Sequence, residues 1–235
     1  MNIFEAASRG YKHKNLLFWV GMLRSLAAPI NPTDRVLDFG CGHGLFLQFL
    51  YEFYPYADSV GIDRDFESIS RARVLLSERK VEWPISYLHS DDVISSSLNE
   101  AFDHIFCQEI LWMNADLQVL AKELFSMLKP GGRCYCTMGS HIDNPLWPYR
   151  REKMEADGMT VHTWSVDQVA KEFAGVGFAV GVRRLPIDGF IMYHPESTPA
   201  YSRSLYELAQ TTAECKILFY FGKHEPVQQP NRLQG

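Results

Sequence analysis

The chain alternates between short apolar runs and longer runs with helical periodicity. Apolar runs of strand length occupy residues 35–39, 59–62, 85–89, 104–107 and 133–138. Between them, residues 45–52, 66–78 and 116–128 repeat apolar positions at helical spacing. This alternation predicts a parallel sheet with helices on both of its faces.

The rhythm changes after residue 140. Residues 140–164 are polar, contain prolines and predict an irregular segment. A helix is expected over 165–173, with Ser165 as N-cap and Gln168 as its capping-box partner. A strand at 178–185, a loop at 187–200, a helix at 201–212 and a last strand at 215–221 follow. No linker divides the chain, so we expect one domain over 1–222, with a cap insertion at 186–214 and a flexible tail at 223–235.

The N-terminal segment has basic residues before an apolar run, as a signal peptide does, but Arg24 cuts the run short. Leu16, Val20, Leu23 and Ala27 recur at helical spacing and predict an amphipathic helix within an N-terminal cap over 1–30. No stretch is long enough to span a bilayer, so we expect a cytoplasmic protein without membrane contact.

Composition supports a folded core and limits the partners. The 235 residues are 46% hydrophobic and 13% aromatic, and the formal net charge is −5. Basic residues cluster only in pairs, which disfavours a nucleic-acid substrate. The five cysteines form no C-x-x-C pair, so no metal site is expected. Cys134 and Cys136 would share one face of a strand, and buried free thiols fit a reducing compartment.

The stretch RVLDFGCGHG places glycines at every second position after the first predicted strand. A glycine-rich turn there lets the backbone approach a ligand at the carboxyl end of the strand. The spacing is G-x-G-x-G, whereas a dinucleotide-binding turn has G-x-G-x-x-G. Asp38 would repel a pyrophosphate in a low-dielectric crevice, and it suits a ligand that carries a positive amine.

LDFGCGHG resembles the signature of class I S-adenosylmethionine-dependent methyltransferases, and LKPGGRCYC at 128–136 resembles that family's turn into the fifth strand. The resemblance implies an α/β fold, a doubly wound Rossmann-like seven-stranded sheet whose last strand runs antiparallel, with N-terminal and late cap insertions. It also implies S-adenosylmethionine as cofactor and S-adenosylhomocysteine as product. In that family an acid at the position of Asp63 receives the ribose hydroxyls, and either Asp91 or Asp92 would face the adenine. The expected cofactor-binding residues are Tyr11, Asp38, Gly40, Cys41, Gly42, Gly44, Asp63, Arg64, Asp91, Asp92, Val93 and Gln108.

Candidate catalytic residues follow the fourth and fifth strands, where the methyl group would project. Glu109 either orients an acceptor amine or is a favourable acid at the start of the next helix. His141 is either a general base or an ordinary loop histidine. Tyr11 would cover the methionine end of the cofactor. Three aromatic residues are expected at the acceptor, namely Trp112 after the fourth strand and Trp147 and Tyr193 in the variable segments.

These residues predict a methyltransferase that acts on a small molecule, aromatic or apolar in character. A protein or RNA methyltransferase, and a cofactor-binding protein without methyl transfer, are the alternatives. The acceptor atom stays open among O, N, S and C because these acceptors share the fold. A monomer or a homodimer is expected.

Overall fold

A computed structural model describes residues 15–79, 82–93, 95–187, 189–191 and 202–224. In these ranges, seven strands form one sheet in the order β3-β2-β1-β4-β5-β7-β6. The strands are β1 Arg35–Phe39, β2 Asp58–Asp63, β3 Ile85–His89, β4 Phe102–Gln108, β5 Leu128–Met138, β6 Ala179–Arg184 and β7 Ile217–Gly222. Tyr11 and Tyr193 lie outside the described residues.

The sheet is parallel except for its last strand. β1 to β5 pair in parallel with their neighbours, and β7 runs antiparallel between β5 and β6. The predicted doubly wound sheet with an antiparallel last strand is therefore confirmed. Strand order reverses between β1 and β4, and ligands of such sheets bind beside the carboxyl ends of the strands at that reversal.

Helices cover both faces of the sheet. They are α1 Leu16–Leu23, α2 Leu45–Phe53, α3 Phe66–Ser77, α4 Leu117–Met127, α5 Trp147–Ala156, α6 Val166–Val176 and α7 Leu205–Glu214. The first three pack in one apolar cluster, on the face that contains Phe106 and Tyr135. α4 and α6 pack in the other cluster, on the face that contains Ile105 and Cys136. The N-cap and capping box predicted at Ser165 and Gln168 are both present.

The N-terminal helix differs from its prediction. Six of its eight residues are buried, so α1 is not amphipathic. The reason is that it lies between two elements. Trp19 packs on Phe46 and Phe49 of α2, with ring centroids 5.7 and 5.5 Å apart. On another side, a Cβ on Gly21 would lie 2.1 Å from the Pro186 carbonyl oxygen.

The segment predicted to be irregular, 140–164, contains helix α5. Its proline lies in the first helical turn, where the missing amide hydrogen is not needed for an intrahelical bond. The proline therefore starts this helix instead of preventing it. Among the described residues, no helix combines the length and the apolar character that a membrane span requires.

Candidate active site

The strand-end crevice is the region where β1 and β4 end side by side, bounded by residues 38–44, Asp63 and Gln108. Asp38 lies one residue before the end of β1, opposite Phe106 of β4. Its side chain is buried, and Oδ1 has no hydrogen-bond partner among the described residues. The pKa of Asp38 is raised to about 8, chiefly by burial and then by the nearby Asp63, while a hydrogen bond with Gln108 opposes the rise. A cation bound next to this carboxyl group would favour its ionised form.

The glycine turn contains Gly40, Gly42 and Gly44, and the lack of a side chain serves different purposes at Gly42 and Gly44. All three have left-handed backbone angles, with φ of +82° at Gly40, +50° at Gly42 and +72° at Gly44. A Cβ on Gly44 would lie 2.4 Å from the Tyr87 ring, whose hydroxyl donates to the Gly44 carbonyl oxygen at 2.6 Å. A Cβ on Gly42 would meet nothing within 4 Å. The open space beside Gly42 leaves room for a ligand. At Gly44 a side chain is absent because the Tyr87 ring occupies that position.

Asp63 at the end of β2 holds the turn from the other side. Its Oδ2 accepts from the backbone N–H of Gly42 at 2.8 Å, and its Oδ1 accepts from the backbone N–H of Asp65 at 2.9 Å. A carboxylate oxygen accepts more than one hydrogen bond. Each oxygen of Asp63 therefore keeps capacity for one hydroxyl of a vicinal diol.

The next part of the crevice is the turn after β3, where Asp91 and Asp92 lie exposed in a 3₁₀ turn and Val93 is half-buried. His89 connects this turn to the loop after β2. Its Nδ1 accepts from the backbone N–H of Asp91 at 3.2 Å, and its Nε2 lies 2.8 Å from the Arg64 carbonyl oxygen. Because a carbonyl only accepts, Nε2 carries the hydrogen. The geometry still leaves Asp91 and Asp92 as equal candidates to face an adenine.

Glu109, the residue after β4, has a left-handed φ of +59°, which is uncommon for a residue other than glycine. Its Oε1 accepts from Lys216 Nζ at 2.5 Å, and its Oε2 accepts from the backbone N–H of Gly139 at 3.1 Å. Lys216 is the more enclosed partner, with 11% of its side chain exposed against 32% for Glu109. The Lys216 ammonium also lies 4.4 Å from the centre of the Phe18 ring. Glu109 is thus the more exposed partner of this salt bridge.

Arg150 on α5 reaches the same strand ends. Its guanidinium donates to the Gly139 carbonyl oxygen at 3.3 Å and to the Thr211 hydroxyl at 3.2 Å. Burial lowers the pKa of Arg150, and the negative charge of Glu109 opposes that change. Lys216 and Arg150 therefore both bring positive charge close to Gly139.

The other sequence-predicted acceptor residues are buried. The imidazole of His141 is enclosed, with Nε2 2.7 Å from the Cys215 carbonyl oxygen and Nδ1 3.6 Å from Asp143 Oδ2. Trp112 and Trp147 pack with Met154 in a small apolar cluster. The catalytic role of His141 and the acceptor contacts of Trp112 and Trp147 stay predictions.

Sequence reasoning missed three residues that organise the site. Tyr87 seats the glycine turn, His89 joins the loops after β2 and β3, and Lys216 anchors Glu109. Only His89 carried a signal, because it lies two residues before Asp91, the first of the predicted adenine-facing acids in LHSDD. Tyr87 lies in the middle of β3 and Lys216 directly precedes β7, and the partners of both are distant in sequence.

The described residues fit S-adenosylmethionine. The buried, unpartnered oxygen of Asp38 suits the amine, and the space beside Gly42 leaves room for the ligand next to the turn. Asp63 has lone pairs left for the ribose diol. When bound, the sulfonium supplies an activated methyl group and a neutral leaving group.

A family profile described as "Methyltransferase domain" matches residues 11–181, more than half of the chain. A trans-aconitate 2-methyltransferase of Azoarcus sp. (strain BH72) is 31% identical over 124 residues, 53% of this chain and 46% of that protein. A malonyl-[acyl-carrier protein] O-methyltransferase of Legionella pneumophila is 31% identical over 98 residues, 42% of this chain and 34% of that protein. The chain thus spans less than half the length of these two relatives.

Solved structures of low identity share the fold. The Haloferax volcanii methyltransferase solved with the Trm112 activator has a TM-score of 0.75 at 20% identity and covers 95% of this chain and 96% of its own. An S-adenosylmethionine-dependent methyltransferase of Mesorhizobium loti has a TM-score of 0.62 at 19% identity, with coverages of 90% and 98%. With the profile match over most of the sheet and the crevice that these residues build, the chain belongs to the class I S-adenosylmethionine-dependent methyltransferase family.

Proposed function

We propose that this chain transfers a methyl group from S-adenosylmethionine to a small-molecule acceptor. The observation that carries the proposal is the buried Asp38 carboxyl group, which has an unpartnered oxygen at the glycine turn. A buried acid with a raised pKa costs stability in the free protein. Binding of a ligand ammonium group beside Asp38 would offset this cost, which is why we assign the carboxyl group to the cofactor amine.

The remaining cofactor contacts follow from the strand ends. Gln108 would orient Asp38, Asp63 would accept from the ribose hydroxyls, and Asp91 or Asp92 would face the adenine. Tyr11 lies outside the described residues, so its place over the methionine end stays a prediction. The same holds for Tyr193 at the acceptor.

Methyl transfer from a sulfonium asks the protein mainly for alignment and for exclusion of water. Glu109 is suited to orienting the acceptor, because Lys216 and Gly139 fix its carboxylate while 32% of its side chain stays exposed. If the acceptor atom carries a proton at neutral pH, Glu109 is also the better-placed base, since His141 is buried.

A small acceptor is supported by the acidic charge of the chain and by the curated relative whose name describes a trans-aconitate methyltransferase. We propose an acceptor with at least one polar group, which narrows the aromatic or apolar molecule that the sequence predicts. Glu109, Lys216 and Arg150 supply charge beside the strand ends, whereas Trp112 and Trp147 are buried. The five free cysteines fit a reducing, cytoplasmic setting, and a monomer or homodimer stays a prediction.

The test is transfer of labelled methyl from S-adenosylmethionine into a cell extract divided by ultrafiltration. We expect label in the low-molecular-weight filtrate with the wild-type chain and none with Asp38→Asn. Asp34→Asn is the matched control, because Asp34 is also a buried acid but directly precedes β1, at the amino ends of the strands and away from the crevice.

Label confined to protein or RNA in the retentate would favour a macromolecular acceptor over the small one. Binding of S-adenosylhomocysteine without transfer to either fraction would leave a cofactor-binding protein as the better description. Equal labelling by Asp38→Asn and wild type would contradict the role of Asp38.

A further inference from the structure

Three of the five cysteines meet inside the sheet face that α4 and α6 cover. Cys107 on β4 lies directly opposite Cys136 on β5, and Cys134 shares the face of Cys136 because it is two residues away. The sulfur of Cys134 lies 3.9 Å from that of Cys107 and 3.7 Å from that of Cys136. All three sulfurs lie within 4.8 Å of one another.

The cluster is isolated from water and from charge. All three side chains are 0% exposed, and they belong to the apolar cluster that includes Leu124 and Phe173. Their hydrogen bonds run from thiol to thiol. Within the described ranges, this is the one group of three or more Cys, His, Asp or Glu side chains whose ligand atoms converge so closely.

The spacing of the sulfurs matches coordination of a single soft ion. A metal–thiolate bond is about 2.3 Å long, so three sulfurs spaced evenly around one ion lie about 4.0 Å apart when the ion is in their plane, and closer together when the ion stands above the plane, as a trivalent ion with a lone pair does. Soft thiolate ligands select thiophilic ions. A structural zinc ion takes four protein ligands, whereas this cluster offers three.

The apolar surroundings favour a complex of thiolates and ion that carries no net charge. Three thiolates carry three negative charges, and an uncompensated charge in an apolar interior is very costly. A divalent ion would leave one negative charge in the core and a monovalent ion would leave two. We propose that Cys107, Cys134 and Cys136 form a binding site for a trivalent thiophilic ion, for which arsenite is the probe.

The reaction with arsenite balances without an oxidant or a reductant. Three S–H bonds and the three As–O bonds of arsenous acid break, and three As–S bonds form. Each thiol proton leaves with one hydroxide as water, and arsenic stays trivalent. The product is a neutral tris-thiolate that joins β4 to β5.

The burial of the three cysteines determines how the ion reaches them. Because the sulfurs expose no surface, the ion must enter during local opening of the α4–α6 layer, so loading is slow and accelerates in mild denaturant. Gln108 follows Cys107 on β4 and faces the opposite side of the sheet. The loaded protein therefore still binds S-adenosylhomocysteine, and the site is independent of the proposed transferase function.

The test uses the reduced full-length chain, incubated with arsenite and then desalted. We expect one retained arsenic per chain and a fall from five to two free thiols, counted after unfolding in denaturant. Cys134→Ala should lower retention at least tenfold. The double variant Cys41→Ala/Cys215→Ala is the matched control, because it removes the two cysteines outside the cluster and should retain one arsenic.

Peptide mapping of the wild-type adduct tests the assignment even if Cys134→Ala does not fold, because it should join the peptides that contain Cys107 and Cys134–Cys136 by one arsenic. Absence of retained arsenic in the wild type would overturn the proposal. Retention that depends on Cys41 or Cys215 would overturn it as well. Tighter retention of Zn²⁺ or Cd²⁺ than of arsenite would contradict the trivalent preference.

Discussion

At the scale of single residues, Asp38 favours binding of the cofactor amine but lowers the stability of the free protein. Its pKa in the folded free protein is about 8, above its unfolded value, chiefly because of burial and then because of Asp63. A carboxyl group of this kind stabilises the fold at low pH, and that contribution is lost as the pH rises from about 4 through about 8. The free protein should therefore be less stable at pH 8 than its Asp38→Asn variant.

The expected gain in unfolding free energy for Asp38→Asn is about 1–4 kcal/mol at pH 8 and vanishes near pH 4. Urea unfolding at several pH values measures it. Saturating S-adenosylhomocysteine should reverse the order, since only the wild type supplies a carboxylate for the amine. A variant that is less stable than wild type at pH 8 without ligand would contradict this account.

His104 gives a pH dependence of the opposite sign. Its Nε2 lies 3.1 Å from Asp34 Oδ2, and burial lowers its pKa despite the attraction of Asp34. A neutral buried imidazole stabilises the fold above its unfolded pKa, and that contribution is lost as the pH falls below about 6.5. In His104→Gln the loss of stability between pH 7 and pH 5 should be smaller than in wild type, as urea midpoints would show. An unchanged slope would mean that His104 does not titrate on unfolding.

At the scale of elements, the glycine turn is packed against β3. Gly42→Ala adds only the cost of a left-handed alanine, about 1–2 kcal/mol. Gly44→Ala adds the same strain and also drives a methyl group into the Tyr87 ring. We expect Gly44→Ala to lose more stability, as thermal unfolding would measure, and Gly42→Ala to lose more affinity for S-adenosylhomocysteine in calorimetric titration, because its methyl group would occupy the space left for the ligand. Adding Tyr87→Leu to Gly44→Ala should restore part of the stability, and no recovery would rule out the clash.

The salt bridge between Lys216 and Glu109 joins the start of β7 to the end of β4. Lys216→Met leaves a partly buried carboxylate with one fewer charged donor and should cost roughly 1–3 kcal/mol. The double variant Lys216→Met/Glu109→Gln should recover part of that loss, because it removes the uncompensated charge. Lys129→Met is the control, since the more exposed Lys129–Asp103 pair lies at the opposite edge and should be worth less than about 1 kcal/mol. Equal losses from the two lysine variants, measured by urea unfolding, would remove any special role for Lys216.

At the scale of the whole molecule, the two apolar clusters share one sheet, so ligand binding at the strand ends should stabilise the fold as a unit. At a free concentration one hundred times its dissociation constant, S-adenosylhomocysteine should add about 2.7 kcal/mol to the unfolding free energy. Circular dichroism and tryptophan fluorescence should report the same shifted transition. NAD at the same concentration should leave the transition unchanged, and a larger shift with NAD would favour a dinucleotide site.

Much of the fold could be predicted because its signals are local. The strand positions, the helices that begin at Leu45 and Phe66, and the Ser165 cap follow from periodicity and short-range hydrogen bonding within each segment. The glycine turn and Asp63 were visible as residue types at fixed spacing. The sequence by itself therefore determined the sheet, the place of the crevice and the acids that face it.

Only the tertiary structure decided how distant segments meet. Lys216 and Glu109 are 107 residues apart in the chain, and no periodicity links them. The burial of α1 depends on Pro186, and the third member of the thiol cluster depends on the pairing of β4 with β5. These contacts arise because the sheet brings remote strands to neighbouring positions, where packing and electrostatics select the partners. That physical step lies beyond any pattern within a single segment.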